Sequence, residues 1–210
     1  MAATVTISIE VELAWGHHDI SGGLHPALSE SREAETKFLN HLLTLCDNHK
    51  LPLTFDIVGH LFHESCQGDH NGPHQKRWFD IDPGTDIKKN PHFYAPDLVE
   101  IICSSAENHE IGTHTYSHII CDEVQPNVVD WELQKVRECH SSFGIDTPVS
   151  IVPPRHKAPP TNVLHDRGIQ VVRTVLPDYS FPESGLGTII HMIARSHPSG
   201  GRRIVLPLHL

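Results

Sequence analysis

The sequence has no apolar run approaching the roughly 18 residues that a membrane-spanning helix needs, which excludes a helical membrane span and predicts a soluble chain. Met1 to Ile9 carries neither a basic n-region nor an apolar stretch ending in small residues, so no secretory signal is expected and the placement reads as cytoplasmic. There is no Cys-x-x-Cys pair, and five scattered cysteines, an odd count, argue against a disulfide framework. They are expected as reduced residues, three of them inside helical patterns as small buried hydrophobes. Positive charge is scarce, with 16 Lys and Arg against 26 Asp and Glu and a formal net charge of -10, so the clustered cations that nucleic-acid binding requires are missing. Internal repeats and low-complexity tracts are absent as well. The 210 residues fit one domain, 1–210. What the chain has in excess is histidine, 19 copies, which makes metal chemistry worth seeking and also makes chance pairs common.

Strand and helix patterns alternate along the chain. Thr4 to Glu10 has strand periodicity with Val5, Ile7 and Ile9 on one face. Ser29 and Ser31 with Glu30 and Glu33 open a helix, in which Phe38, Leu42 and Leu45 repeat at helical spacing beside Leu39 and Cys46. Leu53 to Val58 reads as a strand, Pro96 as the start of a helix carrying Leu98, Ile101 and Ile102, and Glu110 to Thr113 as a short strand. Leu133, Val136, His140 and Phe143 mark a helix that stops at Gly144. Val149 to Val152, Ile169 to Val175 and Ile204 to Leu206 supply further strands, with a short helix at Asn162 to Arg167. Such alternation calls for a parallel sheet with helices outside, and six strand candidates argue against a closed eight-stranded barrel. Gln67 to Pro96 is too long for a simple connector and is expected to be a functional excursion or partly disordered.

In such folds, side chains at the carboxyl ends of strands converge on one crevice. The first strand runs into Glu10 and Glu12, on one side if the chain stays extended. Two such anions suit one metal ligand beside one general base, or else form a solvated strand end. The third strand leads into His114 and His118, where a helical turn would bring both rings to one ion at roughly 2.0 to 2.1 Å, unless the pair is a product of chance. His70 and His74 share the spacing, and there solvated side chains are expected. The fourth strand ends in Pro153, Pro154 and Arg155, an arginine suited either to forking a carboxylate or to a surface turn.

These sites, in this order, resemble the polysaccharide deacetylase family, also called the NodB-homology domain or carbohydrate esterase family 4. Glu110 to His118 is very similar to the family's His-containing second motif, and Leu53 to Gly59 resembles its second strand. Ile9 to Gly16 has Glu-x-Glu where the common first motif has Asp-Asp. The resemblance implies an α/β fold, an incomplete, distorted (β/α) barrel of the polysaccharide deacetylase type. It implies a metal-dependent amidohydrolase in which Glu10 is the catalytic base, Glu12, His114 and His118 hold a divalent ion, zinc before others, and Arg155 orients the base. The substrate implied is an N-acetylated carbohydrate or related amide, and cytoplasmic placement favours a small or lipid-linked one over a wall polymer. The family's last motif places a general-acid histidine after the final strand. Here His209 lies one residue from the last, and Ile204 to Pro207 reads as the penultimate strand, so the expectation is a chain lacking its final element. The competing reading is a non-catalytic carbohydrate-binding or structural relative. Oligomeric state is not legible.

Overall fold

A computed structural model describes residues 5–17, 24–174 and the backbone of 208–209. Five short strands run parallel: β1 (Ser8–Val11), β2 (Thr54–Ile57), β3 (Glu110–Thr113), β4 (Ser150–Ile151) and β5 (Val171–Val172). A sixth, β6 (Leu208–His209), pairs antiparallel with β5. The spatial order β1-β2-β3-β4-β5-β6 follows the chain order, so each crossover returns to the next position along one edge. This is the winding of a (β/α) barrel, left open among the described residues. The strand expected at Ile204 to Leu206 lies outside the described residues.

Four helices supply the crossovers: α1 (Glu33–His49), α2 (Pro96–Cys103), α3 (Pro126–Ser142) and α4 (Thr161–Asp166). Pro96 and Pro126 occupy first helical positions, where a missing N–H costs nothing. Gly144, at φ +66°, follows α3 in the left-handed geometry of a helix end. In α1 the buried stripe is Leu39, Leu43 and Cys46, whereas Phe38 and Leu45 face outward, so the expected apolar face is rotated by one position. The first strand is shorter than its pattern: Val5 is 81% exposed, and pairing begins only at Ser8, opposite Thr54 of β2.

Strand alternation splits the sheet into two chemistries. Ile9, Val11, Phe55, Ile57 and Ile111 pack with the residues of α1 and α2 in one core cluster. The inner face is polar instead. Arg173 crosses it, donating to Ser8 Oγ at 2.7 Å, Thr54 Oγ1 at 2.9 Å and Glu110 Oε2 at 3.2 Å. Asp56, fully buried, shares that face, and its Oδ1 would lie only 2.4 Å from a Cβ added at Gly112, so the carboxyl fits because residue 112 is glycine.

The segment between β2 and α2 is ordered and folds back over the sheet ends. Ser65 and Asp86 form an antiparallel bridge, and the Ala95 N–H returns to the Leu61 carbonyl at 2.9 Å. The excursion reading therefore holds over the disordered one. His70 and His74, expected as solvated, are half-buried residues whose side chains are only 5% and 4% exposed: each ring meets a buried carboxylate, Asp82 at 2.7 Å and Glu132 at 2.8 Å, because the segment tucks beneath aromatic side chains instead of looping into water. No helix among the described residues is long and apolar enough to cross a membrane.

Candidate metal centre

Glu12 stands one residue past β1, His114 one residue past β3, and His118 in the following loop, so all three lie at the carboxyl ends of strands. Their donor atoms fall within 4.8 Å of one another. His114 Nε2 is 3.3 Å and His118 Nε2 3.0 Å from the same oxygen, Glu12 Oε2. The His114 Nδ1 contacts the Val152 carbonyl at 2.6 Å, and because a carbonyl can only accept, Nδ1 carries the proton. In the neutral ring Nε2 is then a bare lone pair aimed at a carboxylate oxygen. Two acceptors in that position need a proton or a cation between them, and one carboxylate with two imidazoles suits a divalent metal. Burial alone would raise the Glu12 pKa; with no ion present and both rings protonated, hydrogen bonds and charge from His114 and His118 outweigh it and hold the carboxyl far below the usual carboxylate range.

The two histidines do not converge by a helical turn, as their spacing suggested. Residues 114–118 form an irregular loop in which Thr115 and His118 adopt left-handed φ values of +62° and +59°, costly for side chains with a Cβ and most of all for β-branched threonine. Glu132, fully buried on α3, sustains this backbone: its Oε2 accepts the Tyr116 and Ser117 N–H groups at 2.7 Å each, and its Oε1 accepts the Ser117 hydroxyl at 2.6 Å. The result is a ring separation of 5.0 Å between His114 and His118. Sequence reasoning missed Glu132. Its signal was a carboxylate set into the apolar stripe Val129, Leu133 and Val136.

Gly16 was missed as well. A Cβ there would lie 2.2 Å from Glu12 Cδ, so the turn Leu13–His17 cradles the carboxylate only with glycine at that point. Arg155, in a left-handed turn after β4, donates from Nη2 to the Gly16 carbonyl at 3.1 Å and so grips the turn that carries Glu12. Glu10 sits level with Asp56 across the sheet, is exposed, and makes no hydrogen bond or ion pair among the described residues. The structure thus gathers Glu12, His114 and His118, brings Arg155 to the adjoining turn, and leaves Glu10 two residues behind the cluster. For His209 only the backbone is described, paired with Val171.

The sequence model of polysaccharide deacetylases matches residues 31–172, well over half of the chain and spanning His114, His118 and Arg155. The chain belongs to the polysaccharide deacetylase family. Its open (β/α) barrel is the fold expected of that membership. Among solved structures it is similar to a CE4 family pseudoenzyme from Bacillus anthracis, at 17% identity over 93% of this chain and 52% of that one, with a TM-score of 0.49. It is also similar to a family 4 carbohydrate esterase from Streptomyces lividans in complex with acetate, at 16% identity over 92% of this chain and 73% of that one, with a TM-score of 0.46. A peptidoglycan deacetylase from Bacillus subtilis aligns at 10% identity over 91% of this chain and 69% of that one, with a TM-score of 0.45. The chain spans about half the length of the first solved structures it matches. No curated protein sequence matches it.

Proposed function

We propose that this deacetylase-family chain is a metal-dependent amidohydrolase that removes the acetyl group from an N-acetylated sugar or polysaccharide, with Glu12, His114 and His118 as the ligands of one divalent ion. The observation that carries the reading is the approach of two imidazole Nε2 atoms to one Glu12 oxygen, one of those rings having its proton held on the far nitrogen by Val152. Zinc fits the donor set best, though other divalent ions accept it. When bound, such an ion polarises a carbonyl and lowers the pKa of water.

The chain's own residues supply the rest. Glu10, in β1 two residues before Glu12, takes the proton from the attacking water. Arg155 acts as a positioning residue through the Gly16 carbonyl, keeping the Glu12 turn in place. In the reaction the water oxygen joins the acetyl carbon, the amide C–N bond breaks, and the departing amine takes up a proton.

The test is metal content by elemental analysis together with acetate release from simple N-acetylated sugars. The unmodified chain is expected to release acetate and to carry an ion at Glu12, His114 and His118; His114→Ala is expected to lose that one ion and the release, and Glu10→Gln to keep the ion while losing turnover. A metal-loaded chain that releases no acetate would make it a non-catalytic carbohydrate-binding relative instead.

A further inference from the structure

A second group of ligand-type side chains lies in the segment between β2 and α2. His60, Cys66, His70 and Asp82 each bring one donor atom within 4.8 Å of the others. Asp82 Oδ2 is 2.7 Å from His70 Nε2 and 3.3 Å from His60 Nε2, and Cys66 Sγ is 3.5 Å from His70 Nε2. Tetrahedral zinc with bonds of about 2.0 to 2.1 Å to nitrogen and 2.3 Å to sulfur has ligand-to-ligand edges of about 3.3 to 3.6 Å, so only modest adjustment separates these atoms from a coordination shell.

The orientations point the same way. His60 Nδ1 faces the Phe93 carbonyl at 3.3 Å, which fixes the proton there and leaves Nε2 bare. His60 is fully buried, and its Nε2 makes no hydrogen bond although it points at Asp82. Asp82 spends its other oxygen on the Tyr94 hydroxyl and the Gly84 N–H, keeping Oδ2 for the cluster. The Gly68 N–H donates to Cys66 Sγ at 3.3 Å, a bond that favours the thiolate. A thiolate and a carboxylate together carry the charge that one divalent cation neutralises, and two neutral imidazoles complete four ligands.

We propose that His60, Cys66, His70 and Asp82 form a structural site for a zinc-type divalent cation, separate from the Glu12, His114 and His118 cluster. Four protein donors leave no position for substrate, which marks the site as structural. The ion pins the excursion to the end of β2 and braces the candidate centre from behind. The His60 ring packs on Trp15 at 4.4 Å, in the turn that follows Glu12, while the Gly59 and His60 N–H groups donate to the Thr115 and Tyr116 carbonyls at 2.8 and 2.9 Å. A cleft of about 470 Å³ bordered by Cys66, His70, Tyr116 and Trp131 provides an entry path.

The full chain, stripped with a chelator and reloaded with Co²⁺, tests this by absorption and elemental analysis. A thiolate-to-cobalt charge-transfer band is expected, lost in Cys66→Ser together with one ion per chain, and unchanged in His114→Ala. His70→Ala serves as the second variant should Cys66→Ser fold poorly, and is expected to weaken cobalt binding at this site at least tenfold. Because only this site contains a thiol, a single bound ion with the band supports it even if the Glu12 site fails. Reloaded protein without a thiolate band, or a band that survives Cys66→Ser, overturns the proposal.

Discussion

Replacing Asp56 by asparagine should stabilise the protein at neutral and alkaline pH and matter least in acid. The Asp56 carboxyl is fully buried on the inner sheet face, and neither oxygen has a hydrogen-bond partner. Burial raises its pKa from 3.8 to about 7; the Arg173 guanidinium, 3.7 Å away, pulls downward without compensating. Because the folded value is the higher one, the stability associated with the neutral acid is complete below the unfolded pKa and is lost as pH rises through about 7. The full loss is roughly 4 kcal/mol at 1.36 kcal/mol per pKa unit, of which roughly 2 to 3 kcal/mol falls between about pH 5 and about pH 8. Asparagine keeps the shape and removes the titration. Urea unfolding of both proteins across that range should show a difference that grows with pH by this amount, while any constant offset reports only the changed polar contacts. A difference that stays flat from pH 5 to 8 would refute the reasoning and mean that Arg173 keeps Asp56 ionised throughout.

Three further outcomes follow from the site. Gly16→Ala places a Cβ against the Glu12 carboxylate and should weaken metal binding roughly 10- to 100-fold, measured by competition with a chelator, with the circular dichroism spectrum unchanged. Unaltered affinity would remove Glu12 from the ligand set. Glu132→Ala strands the Tyr116 and Ser117 N–H groups and should cost roughly 3 to 5 kcal/mol in denaturant unfolding, so a loss below about 1 kcal/mol would show that the loop holds itself. Arg155→Ala frees the turn that carries Glu12 and should lower metal affinity and turnover together; turnover lost with metal affinity unchanged would contradict this positioning role.

The alternation of strand and helix patterns, Pro96 opening a helix and Gly144 closing one follow from local backbone chemistry, and the sequence alone carried them. It also held the Glu12, His114 and His118 candidates, because residues just past strands converge wherever a parallel sheet forms. What it could not carry was how the convergence is achieved. Four-residue spacing suggested a helical turn for the histidines, but the turn is left-handed and irregular, sustained by Glu132 from a helix packed across the loop. Likewise His70 and His74 looked like solvated loop residues, since nothing in the local pattern reveals that Asp82 meets His70 and Glu132 meets His74. The face of α1 turned out to be rotated by one residue because burial is decided by what packs against a helix, not by its own periodicity. Local order is written in short stretches of chain, whereas ligand sets, buried charges and their partners depend on contacts between segments far apart, and only the tertiary structure decides those.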